Sequence, residues 1–377
     1  MTRIRSVEAR TVAVPLAKAT AMARRSVNVR YYSLVRVTDD DGRTGIGFCY
    51  AGNFGGSVVS HAVRELIAPL VVGQRADRHR ALWNEVYAET LLHGRAGSVS
   101  RALSAVDIAL WDLAARTADK PLWQYLGATT TEDSVPAYAS GGYYLDGKTP
   151  DDLAAEMRGY VDAGFGAVKL KVGRVGVTPQ HDAERLAAVR AAVGPEVRVM
   201  LDANNAWSDV PTALEALRLF EPYDPFWIEE PFGPDDIRSH AMLAQRTPIT
   251  VATGEIEYGR WRHLELLERG GAAILQTDAA VCGGITEFQR IADSAASFGV
   301  TMCPHWFHDL HIHLVASIAN GQYVEYFPDD QVLNFRRLVS RQLTVLPGGR
   351  LALPTESGLG FDFLPEVVED VATDQWS

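Results

Sequence analysis

The sequence predicts an α/β barrel joined to an α+β unit, and three observations carry that expectation. From Val135 onward, eight short apolar runs alternate with amphipathic helical stretches. Asp202, Glu229 and Glu255 close three of those runs, about 27 and then about 26 residues apart, the length of one strand-plus-helix unit. A GxGxxG turn after the first run is missing, which favours a barrel over an open doubly wound sheet.

Residues 3–14 and 31–38 alternate with β-branched character, and the turn Asp39–Gly42 leads into a third extended stretch, 44–48. These read as an antiparallel meander. Helical periodicity follows over 58–70, 81–92 and 98–117, so residues 1–130 form one α+β domain. Barrel strands are expected at 135–139, 167–171, 197–202, 226–229, 249–253, 273–278, 300–305 and 323–325. Helices are expected between most of them, at 151–163, 180–193, 210–219, 260–269 and 285–298, giving a barrel domain over 131–340. The last segment, 341–377, has a Gly-turned β-like stretch at 343–353 and is expected to pack back on the first domain.

Composition supports an ordered globular protein: 377 residues, 47% hydrophobic and 22% charged, without a low-complexity tract. A net charge of -11 argues against nucleic acid or an anionic membrane as the main partner. The polar opening and the lack of a long apolar run predict a cytoplasmic location. Cys49, Cys282 and Cys303 are odd in number and scattered, so each is expected to be a buried apolar residue.

The carboxyl ends of the strands carry the chemistry. They hold Lys169 and Lys171, Asp202 with Asn204, Glu229, Glu255, Asp278, His305 and Glu325. In a barrel those ends form one active-site face. Any single acid there could simply cap the following helix; three in register would converge on one cation, and carboxylate oxygens suit Mg²⁺.

The carriers of a family likeness are Lys169-Leu170-Lys171, Leu201-Asp202-Ala203-Asn204, Trp227-Ile228-Glu229-Glu230-Pro231, Thr253-Gly254-Glu255, Asp278 ahead of Gly283-Gly284-Ile285, Pro304-His305 and Val324-Glu325. With them, over essentially its full length, the chain resembles the enolase superfamily and within it the mandelate racemase subgroup. Residues 105–112 also look like the helix of that family's capping domain. The resemblance implies a modified TIM barrel, (β/α)7β, with an α+β cap, an essential Mg²⁺, and abstraction of the proton α to a carboxylate. It also implies a homo-oligomer, octamer or dimer.

Physical chemistry assigns the roles within that frame. Asp202, Glu229 and Glu255 would hold the metal, which stabilises the charge of an enediolate as it develops. Glu230, next along the strand, would point the other way and serve as an outer support or salt-bridge partner. Lys169 and Lys171 lie two apart on one strand face, where a second ammonium and a nearby metal disfavour protonation of Lys171. Lys171 is the expected base, with Lys169 its electrostatic helper and a contact for the substrate carboxylate; a Lys or His base with Mg²⁺ is the general pattern in enolase-superfamily sites. The resemblance pairs His305 with Asp278 as a dyad on the opposite face of the substrate. Glu325 would contact a substrate carboxylate oxygen, donating if protonated and repelling if ionised. Asn204 would touch the substrate or a metal-bound water. His308, His311 and His313 are offset as on a helix and are given no chemistry.

Two acid–base groups on opposite faces permit two outcomes for a carboxylate substrate. One is elimination of water, syn or anti, from a sugar acid (aldonate or aldarate) to a 2-keto-3-deoxy acid. The other is racemisation or epimerisation of a 2-hydroxy acid. A non-catalytic structural protein on the same scaffold is a third reading, opposed by a filled set of site positions. Specificity is expected in two cap loops, a basic mobile one at 16–30 with Lys18, Arg24, Arg25 and Arg30, and a Gly-rich one at 49–56. Arg24, Tyr50 and Trp306 are the expected substrate contacts. The reading favoured is a Mg²⁺-dependent acid-sugar dehydratase.

Overall fold

Alternating β-branched residues at the start of the chain form three antiparallel strands, β1 (Ile4–Met22), β2 (Arg25–Asp39) and β3 (Thr44–Gly52), in that spatial order. The computed structural model describes residues 2–329 and 334–377; positions 330–333 of the expected barrel span lie outside the described residues. β1 and β2 pair from Ile4↔Asp39 to Met22↔Arg25, with an irregularity between Pro15 and Thr20. The stretch 16–30 is therefore a β-ribbon turning at Ala23 and Arg24, where a mobile loop was expected. Two backbone bonds fasten its tip to barrel loops: Ala21 N–H donates to Tyr144 O at 3.4 Å and Val175 N–H to Ala23 O at 3.2 Å. The expected second loop is corrected in the same sense, because Cys49–Gly52 belongs to β3.

The helix Ser98–Thr117 lies on this sheet with its apolar stripe inward. Gly45 and Gly47 permit the approach, since a Cβ on either would overlap a carbonyl oxygen of that helix, Ala109 or Ala105. Two buried acids on the helix fasten it further. Asp112 accepts the Ile46 and Leu359 N–H groups at 2.8 and 2.7 Å. Asp107 accepts from the Thr286 N–H and hydroxyl at 2.8 and 2.7 Å, joining cap to barrel. The first expected cap helix appears as one run, Ser57–Ala62, a π turn at Val63–Ile67 and Ala68–Val71; the second is His79–Glu89.

The eight barrel strands are β4 (Ser134–Ser140), β5 (Ala167–Lys171), β6 (Arg198–Asp202), β7 (Pro225–Glu229), β8 (Thr250–Thr253), β9 (Ile274–Leu275), β10 (Thr301–Met302) and β11 (Val324–Tyr326). They neighbour one another in chain order, and β11 pairs in parallel with β4. A parallel bridge between Met302 and Gly321 joins β10 to the approach of β11 and completes the ring. Helices cover the outside, including Ile237–Ala244, which the sequence reading passed over; it is short, and the Asp236 side chain caps it by accepting the Ser239 N–H at 3.0 Å.

One layer inside the barrel explains the position of the site. Tyr138, Ala167, Met200, Trp227, Ala252, Ile274 and Cys303 pack together, one from each of β4 to β9 and the last just past β10. Strand side chains repeat every second residue, so the next inward layer toward the carboxyl ends is Ser140, Lys169, Asp202, Glu229, Gly254, Gln276 and His305. The apolar layer closes the bottom of the barrel and the polar layer rests on it.

The final segment divides. A hairpin of β12 (Val345–Leu346) and β13 (Arg350–Ala352) pairs antiparallel with β4, so that part joins the barrel where a return to the cap was expected. Beyond it, Phe361 and Phe363 pack with the cap core, and Arg10 meets Glu369 at 2.6 Å. All three cysteines are free and buried. No helix among the described residues is long and apolar enough to cross a membrane.

Candidate active site

The register of the parallel strands brings the polar groups side by side. Lys171 lies opposite Asp202, and Asp202 opposite Glu229. Lys171 Nζ accordingly bonds Asp202 Oδ2. Lys169 Nζ donates to Glu229 Oε1 and Oε2 at 2.6 and 2.7 Å and meets Glu325 Oε1 at 2.7 Å. Across the ring, His305 Nδ1 meets Asp278 Oδ2 at 3.1 Å and its Nε2 meets Glu255 Oε1 at 3.3 Å. Lys169, Lys171, Asn204, Glu255, Asp278, His305 and Glu325 are thus brought to one end of the barrel with Asp202 and Glu229.

Electrostatics follow from burying many acids together. Burial would strip Lys169 of its proton, yet Glu229 and Glu325 hold it well above the ordinary lysine value. One ammonium cannot neutralise all its neighbours, so Glu229 is pushed up by burial and by the charge on Asp202. Glu255 rises to about 8, by burial first and then by Glu230. Glu325 goes the other way: burial opposes ionisation, but Lys169, His305 and Lys171 hold it near 2. It is therefore ionised, and its Oε2 accepts the Trp306 N–H at 2.8 Å, so it has no proton to donate as arranged. Burial works against a charged His305, and Glu255 with Asp278 overcomes it, raising the ring to about 9.

Lys171 departs from expectation. Burial lowers its proton affinity, but Asp202 outweighs burial and the second ammonium, and the side chain stays charged. Glu230 departs too. Its φ of 42° breaks strand alternation, so the side chain does not simply point away. Burial and the Asp202 charge raise it to about 8, and it in turn raises Glu255, which makes it a fourth acid beside the expected three.

The acids fit a hard divalent cation by their chemistry. Glu255 Oε2 is buried with no hydrogen-bond partner, and the raised Glu229 and Glu255 mark a cluster short of positive charge. The rotamers are a separate matter: among the described residues, no three His, Cys, Asp or Glu side chains are arranged to hold a metal ion. Asp202 and Glu229 are turned to the lysines and Glu255 to His305.

A cavity of about 290 Å³ opens above the ring, with Lys171, Asn204, Glu255, Asp278, His305 and Glu325 on the barrel side. Tyr50 and Trp306 line it as expected, their rings tilted by 35° with centroids 4.6 Å apart. Arg24 does not: it is exposed at the ribbon's turn, and its neighbour Arg25 lines the cavity instead, with Arg30 and Arg101. Arg25 is itself exposed, and its pairing with Met22 at the start of β2 sets both residues at the cavity rim. Tyr143, its ring 5.1 Å from Lys171 Nζ, and Gln276, which donates to Glu229 Oε2 at 2.6 Å, were also missed. Gln276 stands two beyond Ile274, so the strand period could have found it. His308, His311 and His313 are buried on the helix His308–Val315; His311 accepts the Ala279 N–H at 3.1 Å behind Asp278, and His313 bonds Trp123 N–H and Leu359 O.

Family models match the two parts of this architecture. Residues 4–127 match the mandelate racemase/muconate lactonizing enzyme N-terminal domain, and residues 152–367 the enolase C-terminal domain-like model. The chain belongs to the mandelate racemase/muconate lactonizing enzyme family of the enolase superfamily. L-talarate/galactarate dehydratase of Salmonella typhimurium is 33% identical over 93% of this chain and 85% of that protein. A 3,6-anhydro-alpha-L-galactonate cycloisomerase of Streptomyces coelicolor is 34% identical over 77% and 79%. Among solved structures, L-talarate dehydratase from Polaromonas sp. JS666, complexed with Mg and L-glucarate, superposes with a TM-score of 0.90 at 31% identity, covering 100% of this chain and 99% of that one. This family member is an enzyme of the lyase kind represented by those dehydratases.

Proposed function

We propose that the enzyme is a Mg²⁺-dependent sugar-acid dehydratase that converts an aldonate or aldarate to a 2-keto-3-deoxy acid. The observation that carries this reading is the placement of Lys171 and His305 nearly across one ring, with Asp202, Glu229 and Glu255 on the strands between them. Several relatives named as sugar-acid dehydratases support it. Mg²⁺ held by Asp202, Glu229 and Glu255 would supply a Lewis acid for the substrate carboxylate and cancel the charge that keeps Lys171 protonated.

Lys171 then takes the α proton. His305, its charged form favoured by the hydrogen bond to Asp278, gives its proton to the β-hydroxyl as the carbon–oxygen bond breaks. Water leaves, and the enol tautomerises to the keto acid. Asp278 holds His305 through Nδ1, leaving Nε2, which meets Glu255 Oε1 at 3.3 Å, as the nitrogen for proton transfer. Lys169, pinned between Glu229 and Glu325, holds positive charge beside the carboxylate end of the substrate.

The test is incubation with Mg²⁺ and a panel of sugar acids, followed by assay for 2-keto acid, with the same panel run in D₂O. Keto acid is expected. Deuteration and inversion at the α carbon without keto acid would replace this reading with epimerisation.

A further inference from the structure

The cavity has two unlike walls. On the barrel side the acids are engaged: Glu325 by Lys169, and Glu255 and Asp278 by His305. On the cap side stand three arginines, Arg25 and Arg30 of β2 and Arg101 of the helix Ser98–Thr117. In a protein of net charge -11 the placing of these guanidinium groups on the cavity wall needs a reason.

Arg101 supplies one. It donates to the Tyr50 carbonyl at 2.8 Å and bonds the Tyr258 side chain, both neutral groups, while Asp278, already bonded to His305, attracts it through space without a hydrogen bond. A guanidinium has five N–H donors, so two neutral partners leave donors over at the cavity wall. Among the described residues no carboxylate pairs with Arg101 or with Arg25. Arg30 lies over the Trp306 ring at 4.8 Å and near the Tyr50 ring at 5.6 Å, which fixes its plane in the same wall. A substrate whose α carbon sits between Lys171 and His305 extends its far end toward these groups, because both walls enclose one cavity of about 290 Å³. Forked N–H donors in a cavity wall suit a second carboxylate better than a hydroxyl.

Resting on the dehydratase reading, we propose that the substrate is a sugar diacid and that Arg101, flanked by Arg25 and Arg30, receives its distal carboxylate. Arg101 is then the residue that separates diacids from monoacids.

The test measures binding by calorimetry on the Mg²⁺-loaded enzyme. A panel of five- and six-carbon sugar diacids, including glucarate and galactarate, is set against the matching monoacids, and keto-acid formation is followed separately. Tighter binding of diacids is expected. Arg101→Met should weaken diacid binding by about tenfold to about a hundredfold, the range for a hydrogen bond to a charged group, and leave monoacids unchanged. Arg101→Lys should recover part of the preference. Arg25→Met removes an exposed side chain, so it reports on the wall if Arg101→Met fails to fold, and it should narrow the preference by a smaller factor. Equal binding of both classes, no diacid binding at all, or a parallel loss of both classes in Arg101→Met and Arg25→Met overturns the assignment. A diacid preference without any keto acid instead overturns the dehydratase reading and leaves the distal site standing.

Discussion

The barrel ring and the cap wall enclose the same cavity, yet one is a crowd of mutually engaged charges, and on the other Arg101 is hydrogen-bonded only to neutral groups. On the ring, each lysine and His305 meets a carboxylate within bonding range, and the strand register dictates which. On the wall, Arg101 bonds a backbone carbonyl and a tyrosine. The difference separates two tasks: a ring built to move a proton needs groups that tune one another, whereas a wall built to read a substrate needs donors left for it. The ring is also braced by an apolar layer beneath, while the wall depends on how the ribbon and the cap helix dock.

Changes on the ring should cost the most. Lys171→Ala is expected to lower turnover by about 10³-fold or more while Mg²⁺ binding persists, measured by keto-acid formation and calorimetry. A variant with unchanged turnover on every substrate would remove Lys171 from the chemistry. Glu255→Gln replaces a carboxylate by a weaker metal ligand, and Mg²⁺ affinity should fall by about a hundredfold or more. Unchanged affinity would place the cation elsewhere.

Changes in the cap should act through docking. Gly47→Ala drives a methyl group into the Ala105 carbonyl, so a loss of about 1–3 kcal/mol of stability is expected, seen as a lower melting temperature and a KM raised more than kcat is lowered. An unaltered melt would show that the helix can back away freely. Asp107 gives a smaller, pH-dependent effect. Burial raises it to about 7, so the folded state binds a proton that the unfolded state has already released at mildly acidic pH. Its contribution therefore falls as pH rises toward 7. Asp107→Asn should gain relative to wild type between pH 6 and pH 7, by about 1 kcal/mol. A constant difference in melting temperature across that window would contradict this. Least of all, Arg24→Ala at the exposed turn should change KM less than about twofold, the usual scale for an exposed surface substitution; a large change would return Arg24 to the wall.

Legibility in the sequence followed the same divide. Asp202, Glu229, Glu255, Asp278, His305 and Glu325 could be placed because a strand-plus-helix unit repeats, and each repeat puts its strand end at the same level of the ring. Lys169 and Lys171 could be placed because a strand alternates every second residue. The ribbon could not, because nothing in 16–30 distinguishes a basic loop from a long hairpin until Ala21 and Ala23 find partners in distant barrel loops. Choosing between Arg24 and Arg25 needed the turn geometry, and Arg101 looked like an ordinary helix residue until the helix was docked. Glu230 escaped for a backbone reason, a left-handed residue where the strand rule assumes an extended one.

By itself, then, the sequence determined the barrel, the polar ring and the order of its chemical groups, since these depend on local periodicity that each segment carries alone. Tertiary structure decided the rest: which carboxylate each lysine meets, that Lys171 is charged beside Asp202, and that the cap presents Arg25, Arg30 and Arg101. Those outcomes depend on distances between segments far apart in the chain, and both Coulomb energies and desolvation are functions of distance and burial, which no local pattern encodes.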